Sequence, residues 1–193
     1  MTGRNRKMYI VAGLAIVLSG LLIWCVSRVM VGKSRLDLSR EEDHFPTVSG
    51  YNLMREEFIF PEDFQGVYNL VMIPFQQRQQ EDVNTWIPAA QELERKYPDL
   101  VYYELPTIYE LPALSRTFIN EGMRAGIPDQ TSRERTITFY LDKSVFKEAL
   151  GITTEQNIQI FLVDREGNIL WRDEGLFTTA KNQSLLELLD QLK

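Results

Sequence analysis

Few side chains in this sequence can carry reaction chemistry, and their types exclude more than they allow. Cys25 is the single cysteine and His44 the single histidine. No intramolecular disulfide can form, and no Cys/His zinc site can be assembled. A Ser-His-Asp triad would have to draw on His44, which lies in a polar connecting stretch rather than beside a strand end. Carboxylates, guanidiniums and amides remain. Glu104 follows Tyr102 and Tyr103 at the end of an apolar run, and in open α/β sheets such strand ends border ligand sites. Arg116, Arg124, Arg133 and Arg135 could form a cationic patch suited to carboxylates or lipid phosphates; ordinary surface ion pairs are the bland alternative. Glu104 and Arg124 form the first pair to test. Gln76, Gln77, Arg78, Gln79 and Gln80 offer hydrogen bonds without a nucleophile, which suits binding, or simply a solvated loop. Nothing in this set calls for a metal or a cofactor.

The elements that must position these groups are legible from periodicity. Val67–Phe75 is an apolar run that reads as a core strand, and the glutamine-rich loop follows it. Glu81–Lys96 reads as a helix, acidic at its start and basic at its end. Trp86, Ala89 or Ala90, and Leu93 fall at helical spacing, and Pro88 inside the helix predicts a kink. Leu100–Leu105 is a second strand, so the unit is βαβ with parallel pairing. Leu111–Gly126 reads as a helix with Leu111, Leu114, Phe118 and Ala125 on one face, Ile119 and Met123 beside it, and Arg116, Glu121 and Arg124 on the polar side. Gly126 suits a C-terminal cap before Pro128. Gly122 costs about 1 kcal/mol relative to alanine and suggests close approach of another backbone or a ligand, or else is simply tolerated. Gln130–Glu134 reads as a polar loop, Thr136–Leu141 as a strand and Val145–Leu150 as a short helix. Ile160–Val163 and Ile169–Trp171 flank the turn chemistry of Asp164–Asn168, with Gly167 free to take positive φ. Thr178–Leu192 closes the chain as a helix.

The N-terminal region differs in kind. Met8–Ser27 contains no charged residue over 20 positions, about 30 Å as a helix, enough to cross a bilayer core. The segmentation expected is a basic tail at 1–7, a single transmembrane helix at 8–31, a linker at 32–50 and a domain at 51–193. Residues 1–40 carry seven basic side chains against Asp37, a balance of +6, so the remainder of a chain of net charge −6 carries −12. An acidic domain argues against nucleic-acid binding, since phosphate recognition needs a basic face. Basic residues flank the apolar run on both sides, so orientation across the membrane is left open.

Strand, polar loop, proline-containing helix and strand, closed by a hairpin and a terminal helix, resembles thioredoxin-like and peroxiredoxin-like domains. The resemblance implies an α/β, three-layer domain with a mixed sheet. In such domains cysteines begin the helix several residues before the proline. Counting back from Pro88, Gln80 and Val83 stand at those positions. The proline that precedes the last hairpin in that fold is replaced by Ile158. A glutamine cannot attack a disulfide, because the nucleophile is a thiolate.

A narrower resemblance rests on Tyr103-Glu-Leu-Pro106, Phe118-Ile-Asn-Glu-Gly-Met-Arg124-Ala-Gly-Ile-Pro128, Arg135-Thr-Ile-Thr, Tyr140-Leu-Asp-Lys143, and Phe161-Leu-Val-Asp164 with Gly167 and Trp171. These stretches look like the mitochondrial ATP-synthase assembly-factor family known as ATPase complex subunit ten. The resemblance implies a membrane-anchored, non-enzymatic, redox-inactive chaperone that binds a subunit of the Fo sector, at the mitochondrial inner membrane or a bacterial plasma membrane. Glu104, Arg116, Gly122, Met123, Arg124, Arg133, Arg135 and Trp171 are the residues expected to meet that partner. The alternatives are a thioredoxin- or peroxiredoxin-like oxidoreductase, disfavoured for want of a CxxC, and a lipid- or small-molecule-binding module.

Overall fold

The computed structural model describes residues 43–192. The apolar run at 8–27, the expected membrane helix at 8–31 and Cys25 lie outside them. Among the described residues, no helix is long and apolar enough to cross a membrane.

Eight strands and five helices make up the described chain: β1 (Val48–Asn52), β2 (Glu57–Phe60), β3 (Tyr68–Ile73), α1 (Gln80–Lys96), β4 (Leu100–Glu104), β5 (Thr107–Tyr109), α2 (Ala113–Gly126), α3 (Gln130–Arg135), β6 (Ile137–Leu141), α4 (Lys143–Ala149), β7 (Gln159–Asp164), β8 (Ile169–Glu174) and α5 (Thr179–Gln191). They form two four-stranded sheets, ordered β4-β3-β7-β8 and β2-β1-β6-β5. The first pairs β3 with β4 in parallel, as the βαβ reading requires, and β3–β7 and β7–β8 antiparallel. The second pairs β5 with β6 in parallel and β1 antiparallel with both its neighbours. A single parallel bridge, Glu104 to Thr136, links the two sheets. The expected mixed sheet is thus two mixed sheets meeting at Glu104.

Alternation along β3 divides the core. Leu70 and Met72 face one way, where Val83, Trp86, Ala90 and Leu93 of α1 and Leu185 and Leu189 of α5 cover them. Val71 and Ile73 face the other way, onto Phe45, Phe60, Ile137, Phe139 and Phe146. All four of these β3 side chains are 0% exposed, consistent with a central strand covered on both faces.

Several sequence boundaries move. The linker was expected to extend to Gly50, yet Phe45 is 0% exposed and β1 begins at Val48, so the fold starts inside that stretch. Gln130–Arg135 is a helix, α3, capped by the Asp129 carboxylate accepting from the Ser132 amide at 2.7 Å. The helix α1 runs unbroken through Pro88. Gly126 ends α2 as its last helical residue and has no positive φ, so it is not the left-handed cap expected.

Gly167 does carry positive φ, +99°, in the β7–β8 turn. A Cβ there would stand 2.6 Å from the His44 ring, whose Nε2 lies 2.8 Å from the Glu166 carbonyl oxygen. Gly167→Ala is therefore expected to destabilise the domain by more than about 1 kcal/mol. A reduced midpoint in urea unfolding would register it, and an unchanged midpoint would contradict it.

Candidate functional site: a buried carboxyl beside the first turn of α1

Glu104 is the last residue of β4, and strand alternation sets it on the same face as Leu100 and Tyr102, towards α1. There it meets Gln80, the first residue of that helix. Gln80, Asn84, Ile87 and Pro88 of α1 form one wall of a cleft of about 310 Å³. Tyr102 and Glu104 form its floor, and Ile127, Ser132, Arg135 and Thr136 the opposite wall. Glu104 is only 6% exposed. Its Oε1 is buried without a hydrogen-bond partner among the described residues.

Burial pushes the Glu104 carboxyl up from the ordinary carboxylate range to about 7, and the Gln80 amide offsets only part of that rise. Taking a carboxylate out of water disfavours its charged form, and here no cation pairs with it to compensate. Arg135 lines the same cleft but is engaged elsewhere. It donates to Glu94 at 2.6 Å and lies over the Tyr102 ring at 4.7 Å. Burial alone would lower the Arg135 pKa, yet Glu94 outweighs it and the net shift is upward. The cleft therefore holds a carboxyl that titrates near neutrality, an adjacent amide, and a guanidinium fixed by its own partner.

The glutamine-rich loop is built in rather than solvated. Gln79 is 1% exposed. Its Oε1 accepts from the Phe75 and Gln76 amides at 2.7 and 3.1 Å, and its Nε2 donates to the Glu155 carbonyl at 2.9 Å. Gln76 Nε2 donates to the same carbonyl at 3.1 Å. Beneath this bridge Lys143, 4% exposed on its side chain, donates to Glu155 at 2.6 Å and to the Phe75 carbonyl at 3.1 Å. Lys147 meets the other Glu155 oxygen at 2.9 Å. Burial raises the Glu155 carboxyl pKa, but its bonds to the two lysines outweigh that and hold it below the usual range. The loop after β3 is thus clamped to the stretch before β7, which fixes the start of α1 and the Gln80 side of the cleft. In the sequence Lys143 stood out only as the end of the Tyr140–Lys143 stretch of the resemblance, without a role, and Glu155 not at all, since a lone glutamate in a polar segment reads as surface.

The other sequence candidates disperse. Arg124 donates through Nε to the Leu53 carbonyl at 2.6 Å and pairs with Glu121, and it makes no bond to Glu104. Arg133 donates to the Ile127 and Arg124 carbonyls, and Arg116 to the Leu111 carbonyl. Arg124 ties α2 to the body, Arg133 joins α3 to the end of α2, and Arg116 holds the chain entering α2, so they do not present one phosphate-binding patch. Met123 is half-buried on the inward side of α2. Gly122 has open space around it, so no backbone of the domain approaches it. Trp171 packs edge-on against Trp86 and donates to the Ser184 hydroxyl at 3.1 Å, away from the cleft. Val83 is 0% exposed and Ile158 likewise, both within the core beside α1. Among the described residues no group of His, Cys, Asp and Glu could hold a metal ion.

No protein-family model matches the sequence. No curated protein matches it either. Solved structures are similar to it in fold. A thiol:disulfide interchange protein from Bacteroides sp. aligns at TM-score 0.50 and 17% identity, over 78% of this chain and 91% of that one. A thiol-disulfide oxidoreductase from Bacteroides fragilis NCTC 9343 aligns at 0.50 and 18%, over 75% and 98%. BsSco, described as a member of the Sco family of cytochrome c oxidase assembly proteins with a disulfide switch, aligns at 0.51 and 11%, over 79% and 95%. These neighbours correct the expectation of a non-catalytic, non-enzymatic chaperone, since two of them are named for thiol–disulfide chemistry. None of them bears on the ATP-synthase assembly-factor family. At these identities the likeness shows the fold itself: residues 43–192 form a thioredoxin-like α/β domain.

Proposed function

We propose that this protein is a thioredoxin-like oxidoreductase in which Glu104 supplies the proton transfer and the reacting sulfurs belong to the bound substrates. The observation that carries this reading is the unpartnered Oε1 of Glu104, buried in a cleft whose other wall begins at Gln80. Gln80 stands where the fold places its first cysteine, so the cleft occupies the site position while the thiol is missing.

A substrate thiol set against Glu104 gives its proton to the carboxylate. The resulting thiolate attacks the disulfide of a second substrate, one S–S bond forms as another breaks, and the departing thiolate takes a proton back from Glu104. One substrate sulfur is oxidised and one is reduced, with the disulfide as the sole oxidant. A carboxyl titrating at about 7 is half ionised at neutral pH and so serves in both directions. The nucleophile is external because residues 43–192 contain no cysteine. Fold neighbours described as thiol–disulfide oxidoreductases support the class of reaction.

The test is the exchange rate between glutathione and a peptide mixed disulfide with the full chain present. An acceleration governed by an ionisation near 7, kept in Cys25→Ser and reduced about 100-fold in Glu104→Gln, is the expected result. No acceleration by the wild-type chain would overturn the reading. The same cleft favours a second reading, a site that binds a small polar molecule. Saturable glutathione-disulfide binding without acceleration would select it.

A further inference from the structure

The helix α2 is mounted inside out. Its polar residues face the body: Arg124 bonds the Leu53 carbonyl, and Asn120 accepts from the Tyr140 hydroxyl at 2.8 Å. Its two most exposed large apolar residues face outward, Leu114 at 84% and Phe118 at 82%; Ile119 and Met123 are half-buried, and none of its 14 residues is buried. The exposed positions of α2 carry one charge, Glu121, and that carboxylate is held by Arg55 and Arg124. Gly122 lies between Phe118 and Gly126 on this helix, where a Cβ would meet nothing. An outward stripe containing leucine and phenylalanine and free of unpaired charge has no use for water.

We infer that the outward face of α2 rests on a lipid bilayer. Three observations choose this occupant. First, the chain outside the described residues includes the uncharged 20-residue run at 8–27, joined to Asp43 by 15 residues. Such a linker spans at most about 50 Å, so a bilayer that holds the run is within reach of the domain. Second, this segment carries little of the domain's negative charge. Residues 111–135 carry four arginines against three carboxylates, whereas the rest of 41–193 carries 23 acidic against 10 basic residues. An anionic leaflet therefore meets less repulsion here than from the remainder of the domain taken together. Third, the face is small. A 14-residue helix is about 21 Å long, and one side of it falls short of the ~800 Å² per partner of a stable protein interface. A second copy is thus a poor occupant, while a tether makes even a weak surface contact effective. The inference stands apart from the chemistry assigned to Glu104.

Nitroxide labels on the full chain in phosphatidylcholine–phosphatidylglycerol vesicles test it. Cysteine is placed at Ser115→Cys or Ala125→Cys on α2, and at Gln91→Cys on α1 as the control, each in a Cys25→Ser background. The expected result is relaxation at the α2 sites enhanced by oxygen at least several-fold over a water-soluble nickel chelate, with the reverse at Gln91→Cys. The double substitution Leu114→Glu and Phe118→Glu, at exposed positions that leave the core intact, should abolish the oxygen preference at Ala125→Cys. Nickel accessibility at α2 equal to that at Gln91→Cys would overturn the inference. Exclusion of both reagents from α2 would also overturn it, in favour of a protein covering the face.

Discussion

Glu104→Gln is expected to stabilise the protein at pH 8 by about 3 kcal/mol and to leave it unchanged near pH 4. The sign follows from the direction of the shift. The folded-state pKa of about 7 lies above the unfolded value of about 4.5. The stability that a neutral Glu104 contributes is therefore complete below pH 4.5 and is lost as pH rises through 7. The magnitude follows from the distance between those two values at about 1.36 kcal/mol per pH unit. Glutamine keeps the size and hydrogen-bonding capacity of the group and removes its ionisation. Thermal unfolding across pH 4–9 reads the effect: the wild-type Tm should fall relative to the variant between pH 5 and 8. Parallel curves would mean that Glu104 ionises as an ordinary surface carboxyl. Improved stability with reduced activity is the pattern expected of a strained functional residue.

Glu155→Ala is expected to destabilise the protein by about 3–5 kcal/mol, because it strands Lys143 as a buried charge with no carboxylate. The Lys143 ammonium would retain the Phe75 carbonyl and its position over the Tyr109 ring at 4.5 Å, neither of which neutralises it. Lys143→Met should cost less. Glu155 keeps Lys147 and has 18% of its side chain exposed, so its charge is not stranded. The double variant should recover part of the Glu155→Ala loss, since removing both charges removes the desolvation problem. Urea unfolding of the three variants checks the order. Equal effects from the two single substitutions would contradict it. Alanine keeps the residue-155 carbonyl to which Gln76 and Gln79 donate, so the loss is that of the side-chain carboxylate alone.

How much of this could be read in the sequence depended on whether a segment's burial showed in its periodicity. The strand β3, the helix α1 with Trp86 and Leu93 inward, and the β7–β8 hairpin around Gly167 all appeared as expected, because their apolar spacing matches their geometry, and of Ala89 and Ala90 it is Ala90 that is buried. The strand β1 did not. Its sequence VSGYN carries little apolar signal, and its burial comes from pairing with β2 and β6, which are distant or later in the chain. The helix α2 was found, and its facing was left unassigned. Periodicity locates an amphipathic helix and does not say which side meets the protein, and here arginines and Tyr140 supply the inward contacts. Glu104 was singled out from its place at a strand end, and the structure adds its burial and its missing partner. Glu104 and Arg124, the first pair to test, do not meet, since Arg124 bonds the Leu53 carbonyl and Glu121; spacing along a helix does not fix convergence with a strand.

The most direct test of the central claim is a carbon-13 NMR titration of the Glu104 carboxyl in the full chain, assigned by its loss in Glu104→Gln. The expected inflection is at about 7, and it should move when a thiol or disulfide ligand occupies the cleft. An inflection near 4.5, indifferent to ligand, would contradict the assignment of Glu104 as the proton-transfer group.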